Sequence, residues 1–158
     1  MRYNADHVLI DGYSVVHAWP GLRAAMARSL ESARDRLVAE LTRLQDAVGI
    51  PVAVVFDSRV RGRPSHGETP AGIEVVFTRK GMTADTFIER LLAKSRSPER
   101  FLVVTDDGAE SFMVRTLGGQ VITAEQLSEW LSSEGHSLSD EVAQLGRSEG
   151  RKFHRHNG

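Results

Sequence analysis

Apolar and polar positions alternate along the chain in blocks rather than at random. Short, β-branched apolar runs, VLI at 8–10, VAVVF at 52–56, IEVVFT at 73–78, FLVVT at 101–105 and QVIT at 120–123, read as strands. Runs this continuous suit strands buried on both faces of a parallel sheet. Between them the period changes. Leu30, Ala33, Leu37, Leu41, Leu44 and Val48 recur every three or four residues and predict one helical stripe over 29–48, stopped by Gly49 and Pro51. TADTFIERLLAKS predicts a second helix capped by Thr83, residues 109–117 a short third, and AEQLSEWLSS a last one. Strand and helix alternate, and parallel strands need crossovers that helices supply, so the expected fold is an α/β sandwich with a mostly parallel central sheet covered on both faces.

Composition does not disturb this picture. The 158 residues are 41% hydrophobic and 26% charged, ordinary for a globular chain that buries its own core. With no cysteine there is neither a disulfide framework nor a thiolate metal site, so any metal must be held by oxygen or imidazole. No apolar run approaches the roughly 20 residues that span a bilayer, and the first residues lack an apolar signal core, so a cytoplasmic protein without membrane contact is expected. The expected organisation is one domain over residues 1–133 and an extension over 134–158. That extension is expected to form one short helix followed by a basic tail carrying Arg147, Arg151, Lys152 and Arg155.

The candidate chemistry lies where the strands stop. HVLIDGYS ends on Asp11, AVVFDS on Asp57, and FLVVTDD on Asp106 and Asp107. In an open α/β sheet the ligand site lies outside the carboxyl ends of the strands, so these acids share one edge. Asp85, in the first turn of the helix opened by Thr83, can reach the same edge. A single such acid is most simply a helix or loop cap. Two carboxylates about 4 Å apart, however, repel by roughly 4 kcal/mol at an effective dielectric near 20, and a hard divalent cation relieves that repulsion. Metal-dependent phosphodiester hydrolysis is the chemistry that follows.

DGYS at 11–14, AWP at 18–20, ARDRL at 33–37, VVFD at 54–57, VVFTRKGMTAD at 75–85 and VVTDDGAE at 103–110 resemble the YacP-type NYN domain, a branch of the PIN-like nucleases. The resemblance runs from about residue 7 to residue 131. It implies a PIN-like three-layer α/β/α sandwich, Mg²⁺ or Mn²⁺ held by clustered aspartates, and endoribonuclease activity in RNA processing or mRNA decay. It implies Asp11, Asp57, Asp85 and Asp107 as the catalytic acids, with Asp11, Asp85 and Asp107 on the cation and Asp106 or Glu110 orienting water. The chain departs from the family in carrying Ser14 where asparagine is usual and Ser111 after Glu110 where the family has glutamine.

An acidic centre that cuts RNA needs a basic rim, because phosphate contacts supply most of the affinity. Arg59, Arg61 and Arg63 follow Asp57, with His66 near them, and Arg79 and Lys80 precede Asp85. Tyr13 or Trp19 is placed to stack an unpaired base, whereas His7 and His17 show no ligand spacing and read as structural. A haloacid-dehalogenase-type phosphatase is excluded because Tyr13 stands where its second aspartate belongs, and a receiver domain because QVIT ends without lysine. The alternative is a module of the same fold that grips RNA or a ribosomal partner without cutting.

Overall fold

A computed structural model of the chain describes residues 2–58, 67–68 and 72–135. Five parallel strands, β1 (His7–Asp11), β2 (Val52–Phe56), β4 (Glu74–Phe77), β5 (Phe101–Val104) and β6 (Gln120–Ile122), stand in the order β4-β2-β1-β5-β6. A two-residue strand β3 (Gly67–Glu68) pairs antiparallel on the outside of β4. The chain builds outward from β1 through β2 to β4, then returns to the other side of β1 with β5 and β6. The order therefore reverses between β1 and β5, and that is where an open α/β sheet takes a ligand.

Helices cover both faces, giving the three-layer sandwich expected. On one side Val8, Ile10, Val54, Leu102 and Val104 pack with α1 (Gly12–Ala18), α2 (Pro20–Arg28), α3 (Leu30–Val48) and a helix α6 over 124–135. The α3 stripe is the predicted one, with Ala33, Leu37, Leu41 and Leu44 buried. Ser29 caps its start by accepting from the Ser32 N–H at 3.1 Å, and Gly49, at φ 74°, ends it in the left-handed conformation that glycine enters without strain. On the other side Leu9, Val55 and Val103 pack with Ile88 and Leu92 of α4 (Ala84–Lys94) and Val114 of α5 (Gly108–Thr116).

Three elements have no bounded counterpart in the sequence reading: the strand β3 and the two helices after β1. Residues 12–28, left without a defined element, form two helices broken at Trp19, and Pro20 opens the second at its first position, where a missing N–H is harmless. The last helix begins with a reciprocal cap. Thr123 Oγ1 accepts from the Gln126 N–H at 3.1 Å, and the Gln126 side chain accepts from the Thr123 N–H at 2.8 Å. The expected short helix after residue 135 and the basic tail lie outside the described residues. No described helix is long and apolar enough to cross a membrane.

Candidate active site

Strand register brings the first contacts together. Ile10 pairs with Val104, so the next residues along the two parallel strands, Asp11 and Thr105, emerge side by side at the reversal point. Thr105 is buried and its hydroxyl is the hub. Thr105 Oγ1 accepts from the Asp107 N–H at 3.1 Å, and it stands 3.2 Å from Asp11 Oδ2 and 3.1 Å from Glu110 Oε1. A hydroxyl has one proton, so it can donate to only one of these two carboxyls.

Glu110 is only 3% exposed, and its second oxygen, Oε2, has no hydrogen-bond partner among the described residues. Burial, then the neighbouring Asp11 carboxyl, pushes its pKa from the usual 4.5 up to about 9. Burial also raises Asp11, against the hydrogen bonds from Glu110 and Thr105 that lower it, and the charge of Asp85 raises both acids. Without a cation the pair therefore keeps a proton at neutral pH.

The remaining acids arrive on other elements. Asp85 is exposed in the first turn of α4. Thr83 caps that helix by accepting from the Thr86 N–H at 3.1 Å, and the Thr83 hydroxyl donates to Asp85 Oδ1, which also accepts from the Thr86 N–H at 3.0 Å. Asp107 caps α5, its Oδ1 accepting from the Glu110 N–H at 2.8 Å. Asp106 Oδ1 accepts from the Ala124 N–H at 2.8 Å at the start of α6, and the Asp106 N–H donates to Ser14 Oγ at 2.7 Å. Asp57 lies two residues beyond the Asp11–Val55 pairing.

All six carboxyls, Asp11, Asp57, Asp85, Asp106, Asp107 and Glu110, line one open groove of about 640 Å³, with Ser14 and His17 on its α1 wall. Among the described residues the groove offers oxygen donors and one imidazole, the set a hard divalent cation takes. The unpartnered buried oxygen of Glu110 beside Asp11 fits such an ion, because a cation would supply the interaction that this oxygen lacks and offset the repulsion between the two acids. The acids do not form a closed cage: among the described residues no three acid, histidine or cysteine side chains are gathered as a metal-holding group.

The rim differs from expectation in one respect. Tyr13 is 7% exposed, its ring packs 5.1 Å from that of Phe56, and its hydroxyl accepts from Arg34 at 3.0 Å. It lines the acidic groove, but most of its ring is packed in the core, which leaves little of a face for a base. Trp19 is half-buried with its indole N–H donated to the Ala124 carbonyl at 2.9 Å. Arg79 and Lys80 are exposed on the turn after β4, closed by the Met82 N–H on the Arg79 carbonyl at 2.9 Å. Arg59, Arg61, Arg63 and His66 lie outside the described residues.

Sequence reasoning missed Thr105 as the hub and His17 as a groove residue. Thr105 read as the end of a strand. His17 had a usable signal, since it lies three residues after Ser14 on α1 and therefore on the same helical face.

A doubly wound sheet whose reversal point opens into a carboxylate-lined groove defines the class, a PIN-like α/β/α domain. The model of the YacP-like NYN domain matches residues 8–156, and the chain belongs to that family, whose members are generally RNA-related and nuclease-like. The uncharacterized protein YacP of Bacillus subtilis (strain 168) is 34% identical over 123 residues, 77% of this chain and 72% of that one. The crystal structure of Rae1 (YacP) from Bacillus subtilis matches with a TM-score of 0.76 and 29% identity, covering 92% of this chain and 84% of that one. Its W164L mutant gives a TM-score of 0.74, with 89% and 82% covered.

Proposed function

We propose that this chain is a metal-dependent endoribonuclease that hydrolyses RNA phosphodiester bonds at the acidic groove, in RNA processing or mRNA decay. One observation carries the reading: a buried glutamate with an unpartnered oxygen, held against Asp11, in a groove with four further carboxyls. A fold gains nothing from gathering like charges at this density, whereas an in-line phosphoryl displacement uses them.

Asp11, Asp85 and Asp107 would hold Mg²⁺ or Mn²⁺, with Glu110 and Asp57 beside them. When bound, the ion supplies charge neutralisation at the phosphate and an activated water. The chain's own residues prepare the rest. Thr105 orients Asp11 and Glu110 through one hydroxyl, and Thr83 fixes one oxygen of Asp85 so that the other faces outward. Ser14 holds the backbone at Asp106 by accepting from its N–H. The proton kept by the Asp11–Glu110 pair must leave before both carboxylates can act. Arg79 and Lys80 are placed to hold a flanking phosphate.

The test is cleavage of labelled single-stranded RNA with Mn²⁺, Mg²⁺ or EDTA by the wild type, Asp11→Asn and Asp85→Asn. Metal-dependent cutting abolished by both substitutions supports the reading. RNA binding without cutting, on free RNA and on translating ribosomes alike, would replace it with the non-cutting binding module.

A further inference from the structure

A second groove, of about 750 Å³, opens beside the acidic one and shares Ala18, Asp106 and Asp107 with it. It runs along α5 toward β6 and α6, with Trp19 among its lining residues. The α5 residues lining it, Gly108, Ser111 and Arg115, recur at three and four positions and so share one helical face. From Gly108 to Arg115 that face extends about 10 Å at 1.5 Å per residue. Arg115 is exposed and makes no ion pair among the described residues.

Phe112 does not line the groove but stands on the same helix, turned about 40° from Gly108 and about 60° from Arg115 at 100° per residue. It is 73% exposed, while the other large exposed apolar side chain among the described residues, Leu91, reaches 36%. A phenylalanine this open loses apolar burial unless something flat lies on it. Among the described residues the acidic groove offers an RNA strand six carboxyls and no arginine or lysine, and an exposed cation beside it, such as Arg115, supplies the charge that a flanking phosphate needs.

We infer that this second groove seats the nucleotides on one side of the scissile phosphate, Arg115 contacting a backbone phosphate and Phe112 stacking an unpaired base. The inference deepens the proposed RNA cleavage by naming a strand path, and it rests on RNA being the ligand. Its occupant is single-stranded RNA, because stacking on an exposed ring needs a base freed from pairing. Ser111 contributes a small polar side chain to the groove wall.

The test reads binding rather than cutting. Fluorescence anisotropy of a labelled single-stranded oligoribonucleotide, in EDTA, compares the full-length wild type with Phe112→Ala, Phe112→Trp, Arg115→Glu and Arg96→Glu. Arg96 is an exposed arginine on the connection from α4 to β5, away from the acidic edge, and serves as the matched charge control. Phe112→Ala should weaken binding about tenfold and Phe112→Trp should restore it. Arg115→Glu should weaken it by a similar factor and lower the salt dependence by about one released counterion. Arg96→Glu should stay within about twofold, since it keeps every strand contact.

Equal binding by Phe112→Ala and wild type, or equal loss in Arg115→Glu and Arg96→Glu, overturns the inference. Absence of binding by the wild type overturns it as well. Because no cleavage is read, loss of cutting in Asp11→Asn bears on the catalytic proposal and not on this one.

Discussion

Glu110→Gln should make the metal-free protein more stable at neutral pH, and the gain should vanish in acid. Glu110 has a native pKa of about 9 against the usual 4.5, so at pH 7 the folded protein keeps a proton that the unfolded chain releases. Because the folded value is the raised one, the side chain's favourable contribution is complete below about 4.5. It is lost progressively as the pH rises toward about 9. One pKa unit corresponds to about 1.4 kcal/mol, so by pH 7 the wild type has forgone about 3 kcal/mol, which solvent at the groove mouth reduces to ~1–3 kcal/mol. Glutamine keeps the shape, stays neutral throughout and can donate to Asp11 while accepting from Thr105. Urea unfolding in EDTA at pH 5, 6, 7 and 8 should show wild type and variant nearly equal at pH 5 and the variant ahead by ~1–3 kcal/mol at pH 7. Saturating Mn²⁺ should reverse the order, because an ion at 100 times its dissociation constant adds about 2.7 kcal/mol to the form that binds it. A stability difference that does not change with pH would refute the proton assignment, and a variant that gains equally from Mn²⁺ would remove Glu110 from the proposed cation site.

Apparent Mn²⁺ affinity, read by calorimetry, should rise from pH 6 to pH 8, by up to about tenfold per unit, since the Asp11–Glu110 pair must give up its proton to an incoming ion. Asp107 combines a cap with a proposed ligand role that two substitutions separate. Asp107→Asn should leave urea stability within about 0.5 kcal/mol but abolish cutting, while Asp107→Ala should also lose about 1 kcal/mol of capping. Full cutting by Asp107→Asn would reduce Asp107 to a cap. Gly12→Ala should destabilise by about 1–3 kcal/mol in urea, because the added Cβ runs into the buried Phe56 ring and approaches Val54 Cγ2 at 3.1 Å.

The parts of the fold legible in the sequence are those whose signals are local and repeated. The α3 stripe spans five turns, so its period is unmistakable, and VAVVF and LVV are too apolar for anything but a doubly covered sheet. The strand-end aspartates were legible for the same reason: once the strands are parallel, their carboxyl ends share an edge. The direction of Tyr13 was not. A seven-residue helix has too few turns to show which face is buried, and α1 buries Tyr13 and Val16 while Ser14 and His17 stay more open in the groove that Tyr13 also lines. Trp19, read as a matching residue and a candidate for base stacking, and Pro20, read as a matching residue, carried the break between α1 and α2.

Glu110 illustrates a harder limit. Three residues after Asp107 in a first helical turn, its position is that of an ordinary acid complementing a helix dipole. Its burial arises from long-range packing: α5 lies against α4 and β6, and parallel register sets Thr105 beside Asp11. No local pattern encodes that. A domain with 5–15 kcal/mol of net stability that gives up ~1–3 kcal/mol at one carboxyl carries a sizeable burden. The burden falls on the one described buried polar atom left without a partner, beside the aspartate at the sheet's reversal point. Burying an acid there, rather than an isosteric amide that would satisfy Thr105 and Asp11 equally well, makes sense only if its charge is needed when the proton leaves. That requirement ties the stability defect to the proposed chemistry.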